Sequence, residues 1–180
     1  ATILDLSHNI STFNLAQAAF ILKNTYSRFP KGTIHIIAVN SESNENKKHV
    51  AISYDGHFFV GADNGIFGLI MEDEPDSVVT LKEKETTFPS LDIFSEAAVL
   101  LSQGEDINNI GERTTDLYRQ INFLPTINQN LINGKVVFID SYYNVISNIS
   151  RELFDQVGEG KPFEIFLRSN QYKINKINKK

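Results

Sequence analysis

Cysteine and tryptophan are missing from this 180-residue chain, and methionine occurs once. Without cysteine there is no disulfide scaffold, no zinc–thiolate centre and no cysteine nucleophile. No apolar run approaches the roughly 20 residues of a membrane helix, and the first residues lack the basic-then-apolar pattern of a leader. Basic residues are in the minority, 17 against 22 acidic, for a net charge of −5. That balance leaves no electrostatic footprint for nucleic acid. Lys173, Lys176, Lys179 and Lys180 form one local basic concentration, best explained as a lysine-bearing exposed edge. Neither nucleic acid nor a membrane is expected as a partner, and cytoplasm is the default compartment. What is present is ordinary for a folded domain: 41% hydrophobic and 22% charged residues, too apolar for a disordered chain.

The pattern along the chain is that of an α/β protein. Residues 1–6 have the composition of a short buried strand. Ser11 and Thr12 are suited to cap a helix over residues 13–28, where Leu15, Ala18, Ala19, Leu22 and Tyr26 recur at helical spacing. Pro30 and Gly32 end it, and the β-branched run Thr33 to Val39 predicts a strand covered on both faces. Strand, helix and buried strand in succession predict a mainly parallel sheet. The wholly polar residues 40–48 then form a loop at the C-terminal edge of that strand, where open α/β sheets place their ligands.

A hairpin is predicted over His49–Tyr54 and His57–Val60 around Asp55-Gly56, with a second turn at Ala62–Gly65. Helical patterning follows at Ile66–Met71, a strand at Val78–Leu81, a helix at Ile93–Leu101 capped by Asp92, and a short helical piece at Ile107–Thr114. Pro125 and Gly134 punctuate a stretch of weak periodicity. The expected organisation is an N-terminal α/β domain over 1–125, a linker over 126–134 and a partial, β-rich C-terminal domain over 135–180. Strands are predicted there at 135–140, 145–149, 163–167 and 172–177, with one helix at 151–157.

Before any family is considered, the chemistry is sparse. The histidines His8, His35, His49 and His57 show no metal-ligand spacing and are read as structural. Asp5-Leu6-Ser7-His8 is a turn rather than a catalytic dyad, since neighbours on a strand face opposite ways. Asp63-Asn64-Gly65 is likewise a turn, in a segment without the spacing or the lysine of a phosphate loop. Asp140, Tyr142 and Asn144 stand out just past a buried strand: a carboxylate, an aromatic face and an amide suited to a sugar and a base, or simply a hairpin.

Four segments in register resemble one family, the S-adenosyl-L-methionine hydroxide adenosyltransferases, relatives of the fluorinase and chlorinase. They are Asp5-Leu6-Ser7-His8-Asn9-Ile10 with Ala18-Ala19, Phe29 to His35, Phe59 to Gly65 and Asp140 to Ile149. The last is similar to the family's Asp-x-Phe-Gly-Asn-Leu-Ile-Thr-Asn-Ile. The resemblance implies a homotrimer of two-domain subunits, with S-adenosylmethionine held where the N-terminal domain of one chain meets the C-terminal domain of the next. A nucleophile then displaces methionine from C5′ of the ribose. The leaving group is a neutral thioether, so positioning and desolvation of the nucleophile carry the reaction. No further cofactor is implied. Residue by residue, Asp140 falls on the adenosyl-methionine side, Tyr142 on the aromatic after it, and Asn144 on the amide that meets the adenine edge. Phe13 falls where relatives place an aromatic near the ligand, although a hydrophobic staple explains it equally well.

The resemblance also fails at defined places. Hydroxide-using members activate water with an Asp, an Arg seven residues later and a His; those positions here are Asn40, Lys47 and Pro89. Asparagine accepts no proton at neutral pH, lysine lacks the guanidinium fork, and proline has no polar side chain. Ser43 and Ser90 leave hydroxyls near the same place, fit for a halide or an unactivated water. The family's N-terminal Thr-Asp-Phe-Gly and terminal Gly-x-Leu-Glu-Ile-Ala segments would lie beyond Ala1 and Lys180. The expected function is adenosyl transfer, most simply hydrolysis of S-adenosylmethionine to adenosine and methionine. The alternatives are a catalytically inactive nucleoside-binding protein and a halide-using relative.

Overall fold

The computed structural model describes residues 2–42, 48–118, 124–167 and 169–177. They fall into two compact units, 1–122 and 123–180.

Unit 1 is built on a five-stranded sheet in the order β1-β3-β2-β4-β5. Its strands are β1 (Ile34–Ile37), β2 (His49–Tyr54), β3 (His57–Ala62), β4 (Ser77–Leu81) and β5 (Gly111–Arg113). Only β1 and β3 run parallel; β2–β3, β2–β4 and β4–β5 are antiparallel. The sheet is therefore mixed, not mainly parallel. The cause is local. Asp55 and Gly56 both take positive φ, +48° and +69°, the geometry of a tight two-residue hairpin. The hairpin returns β3 beside β1, displacing β2 by one place. The first strand that the parallel arrangement needs is also absent: residues 2–6 form no strand, and Ile3 and Leu4 are exposed.

Helices cover both faces. On one, α1 (Leu15–Lys23) and α2 (Ile66–Ile70) bury Ala18, Ala19, Leu22, Phe67 and Ile70 against Val50, Ile52 and Phe59. On the other, α3 (Ser95–Ser102) with Ile93 and Phe94 packs on Ala51, Val60 and Val79. Residues 50, 51 and 52 thus alternate faces, as a pleated strand requires. Phe59 is fully buried; truncating such a ring costs about 3–5 kcal/mol. β1 is covered less fully than expected, because Ile36 is exposed while His35 and Ile37 are buried.

The structure also revises several ends. Asn14, not Ser11 or Thr12, caps α1, its side chain accepting from the Gln17 N–H at 3.0 Å. Asp92 is not a cap: a π-turn over Ser90–Phe94 precedes α3, and Asp92 inside it accepts from the Thr86 hydroxyl. Of the expected helical piece at 107–114, one 3₁₀ turn (Ile107–Asn109) is helical, and Gly111–Arg113 form β5. Gly111 in that strand sits where a Cβ would lie 2.4 Å from the Thr80 carbonyl oxygen, so only glycine lets β5 approach β4.

Among its described residues, unit 2 holds three two-stranded antiparallel sheets and one helix. They are β6 (Thr126–Asn128) with β7 (Leu131–Asn133), β8 (Val136–Ile139) with β9 (Val145–Ser147), and β10 (Ile165–Leu167) with β11 (Ser169–Ile174). Residues 126–134, expected as a linker, mostly form the first hairpin. Helix α4 (Arg151–Gly158) starts on Ser150, whose hydroxyl accepts from the Leu153 N–H, and Phe154 meets Phe163 edge-to-face at 5.0 Å. Among the described residues, no helix is long and apolar enough to cross a membrane.

Candidate functional site

Topology gathers the chemistry of unit 1 at one sheet edge. β1, β3 and β4 run in the same direction and β2 runs against them. The ends of β1, β3 and β4 and the start of β2 therefore share an edge, the kind at which α/β sheets place ligands.

The turn after β1 is held by its carbonyls. The Asn64 side-chain amide, buried just past β3, donates to the carbonyls of Val39 and Asn40, both at 3.0 Å. His49, fully buried at the start of β2, donates from Nε2 to the carbonyl of Ser41 at 2.8 Å. Three consecutive carbonyls are so satisfied by two interior side chains, and Asn40 sits between them with φ +51°. Left-handed backbone at a non-glycine residue is uncommon, and asparagine is among the residues that tolerate it.

His49 links this turn to two further segments. Its Nδ1 lies 3.1 Å from Glu83 just past β4, and its backbone N–H donates to the other oxygen of that carboxylate at 3.2 Å. Its ring meets Phe94 edge-on at 5.1 Å. Phe94 closes the π-turn that begins at Ser90, and that turn packs on β1 and β3. The structure thus brings the Asn40 turn and the Ser90 turn to the surroundings of one histidine. Ser90 is half-buried and Pro89 is buried beside it. Ser43 and Lys47 lie outside the described residues.

Phe13 is exposed, with φ +61°, and so does not pack as a hydrophobic staple. The Asp63-Asn64-Gly65 turn does three separate things. Asp63 accepts the Tyr118 N–H at 2.9 and 3.1 Å, Asn64 holds the β1 turn, and Gly65, at φ +95°, starts α2. Burial pushes the Asp63 carboxyl above its usual range, against the opposing pull of the Tyr118 N–H.

In unit 2, Asp140 organises its own turn. One carboxylate oxygen accepts the N–H groups of Tyr142 at 2.9 Å and Asn144 at 2.8 Å; the other accepts the Asn144 side-chain amide at 2.7 Å. The Asn144 amide above all, then these backbone bonds, hold the Asp140 carboxyl below its usual range. The three residues are therefore together, with Tyr142 and Tyr143 at 84% and 86% exposure. Tyr143 has φ +64° where the resembled motif has glycine. Phe13, Asn40 and Tyr143 are three of the six non-glycine residues with positive φ among those described, which puts backbone strain in the segments singled out from the sequence.

Two small cavities in unit 1, of about 30 and 140 Å³, are bordered by residues such as Pro75 and Leu117. Neither can take a nucleoside, since ligand pockets begin near ~300 Å³. Among the described residues no group of three His, Asp or Glu could hold a metal ion. Sequence reasoning missed Asn64 and His49. The available signal was that both flank strands ending or starting at the edge where the polar loop 40–48 lies.

Residues 1–111 match the model of the S-adenosylmethionine hydroxide adenosyltransferase N-terminal domain. The chain belongs to that family. It is 26% identical over 160 residues to the (R)-S-adenosyl-L-methionine hydrolase of Methanocaldococcus jannaschii, an alignment that takes in 84% of this chain and 56% of the relative. The chain thus spans little more than half the length of that protein. A solved structure of a conserved protein from Thermotoga maritima superposes with a TM-score of 0.83 at 22% identity, over 97% of this chain and 70% of the other. One from Thermus thermophilus superposes with 0.65 at 24% identity, over 81% and 63%. At those identities the structures speak for the fold.

Proposed function

We propose that this protein transfers the adenosyl group of S-adenosylmethionine to a small nucleophile, most simply water, giving adenosine and methionine. Support comes from the family match over residues 1–111 and, at the level of residues, from the Asp140–Asn144 turn. In the reaction an oxygen lone pair forms the C5′–O bond as the C5′–S bond breaks; the bonding pair leaves on sulfur, and the proton of the attacking water passes to solvent. Sulfur leaves as a neutral thioether, so no general acid is needed. The residues proposed for the nucleoside are Tyr142 and Asn144, set by Asp140. The residues proposed for the nucleophile are Asn40, Ser43, Lys47 and Ser90, with Phe13 as a further aromatic for the nucleoside. S-adenosylmethionine is substrate here, and no separate cofactor takes part. A homotrimeric assembly and a cytoplasmic location complete the proposal.

A second reading has its own observation. Asn40, Lys47 and Pro89 replace all three water-activating groups of the resembled pattern, which favours a nucleoside binder without turnover, or a relative that uses a halide. One experiment separates them. The protein is incubated with S-adenosylmethionine with and without chloride, and adenosine and 5′-chloro-adenosine are followed by chromatography. Adenosine supports hydrolysis and the chloro product supports halide transfer. No product, with adenosine binding seen by calorimetry, supports the binder and ends the enzyme reading.

A further inference from the structure

We propose that His49 is a positioning residue for the nucleophile side: its Nε2–H holds the Ser41 carbonyl and so fixes the turn that carries Asn40. The structural claim stands on geometry alone; its consequence for turnover rests on the adenosyl-transfer reading.

The chemistry of the contact fixes the proton. A carbonyl only accepts, so the nitrogen 2.8 Å from the Ser41 oxygen carries the hydrogen. The ring is confined beside that bond by its neighbours. Glu83 faces Nδ1 at 3.1 Å and takes the His49 backbone N–H at 3.2 Å on its other oxygen, while Phe94 meets the ring edge-on. Glu83 acts through the backbone: by accepting the His49 N–H it holds the start of β2, and with it the ring, in place.

The turn needs this help. The carbonyls of Val39, Asn40 and Ser41 take their hydrogen bonds from the side chains of Asn64 and His49, and no backbone donor serves them among the described residues. Asn64 secures the first two carbonyls and His49 the third. The third bond sits immediately after Asn40, whose φ of +51° is the strained point of the turn. Removing it frees the turn on the side that continues into the polar loop. A polar side chain buried at 1% exposure and placed to make one bond to a neighbouring turn is costly to keep apolar surroundings around unless that bond is made.

The test compares His49→Leu, which cannot donate, with His49→Gln, whose amide nitrogen reaches nearly the place of Nε2 and can. Backbone amide exchange at Asn40, Ser41 and Glu42 is measured by NMR, with β2 and β3 amides as the internal reference for global stability. In His49→Leu the turn amides exchange about tenfold faster relative to the reference, and His49→Gln returns them to near wild type. Glu83→Ala, a change at a half-exposed residue, removes the acceptor of the His49 backbone N–H and gives an intermediate increase. In turnover, His49→Leu lowers kcat about tenfold or more with KM within about twofold, because ground-state nucleoside contacts are left in place. The proposal is overturned if turn amides in His49→Leu keep the wild-type ratio to the reference, or if Gln restores no more than Leu does. If His49→Leu does not fold, the decision passes to His49→Gln and Glu83→Ala by the same ratio, and a wild-type ratio in Glu83→Ala overturns the anchoring role of Glu83. A wild-type protein without turnover defeats the adenosyl-transfer reading, while the exchange ratios still decide on His49.

Discussion

His35 makes the stability of unit 1 depend on mild acid. The imidazole is buried on β1, stacked on Phe59 at 5.0 Å, met edge-on by Phe29 and Tyr26, with its Nε2 3.4 Å from Nδ1 of His57. Burial first, and the neighbouring His57 second, lower its pKa from 6.5 to about 4. The sign follows from the two states. Between pH 6.5 and 4 the unfolded chain binds a proton at this position and the folded chain does not, so stability falls as pH drops through that window and levels off below about 4. At about 1.4 kcal/mol per pH unit the gap has a ceiling of about 3 kcal/mol, which solvent screening reduces to about 2. The variant His35→Phe keeps an aromatic ring on Phe59 and removes the titration. Urea denaturation followed by far-UV circular dichroism at pH 7, 5.5 and 4 should show wild type losing about 2 kcal/mol more than His35→Phe between the first and last pH. Groups that do not touch His35 titrate in both proteins and cancel, so the difference reports His35 together with its neighbour His57. Equal losses in the two proteins, or a His35 ring proton that titrates near 6.5 in the folded state by NMR, would refute this account.

Three other outcomes follow from contacts described above. Gly111→Ala places a methyl group 2.4 Å from the Thr80 oxygen and should destabilise unit 1 by about 2 kcal/mol or more, read from urea midpoints. Asn64→Ala leaves two carbonyls of the β1 turn without their donor and should cost about 2 kcal/mol by the same measurement, with faster amide exchange at Asn40. Tyr143→Gly relieves a left-handed conformation at an exposed ring and should leave stability unchanged or raise it by about 1 kcal/mol in thermal melts. A marked loss in that last variant would mean that the ring packs on something in solution.

How much of this was readable beforehand depended on range. The β2–β3 hairpin was, because Asp55-Gly56 carries its own backbone preference and the strands on either side need nothing distant. The order of the strands was not. A hairpin that inserts β3 between β1 and β2 is a pairing choice made across the sheet, and no local signal distinguishes it from a parallel crossover. Helix α4 and strands β8 to β11 were placed to within a few residues by periodicity, whereas β6 and β7 fell in the expected linker and β5 was mistaken for helix because its partner β4 lies some 30 residues earlier. The site divides in the same way. The polar loop after β1 and the Asp140–Asn144 turn stand out by composition. The Asn64 amide reaches carbonyls 24 and 25 residues away, and His49 is linked to a glutamate 34 residues on. Such partners are chosen by the fold, and a residue's type alone does not disclose them.

Because the segment after β1 is gripped through its main chain, its hold among the described residues does not pass through the side group at position 40. Aspartate and asparagine share the same skeleton and the same tolerance for this conformation, so one can replace the other there while the scaffold stays as it was. A frame built this way lets the proton chemistry at one atom change without being rebuilt itself.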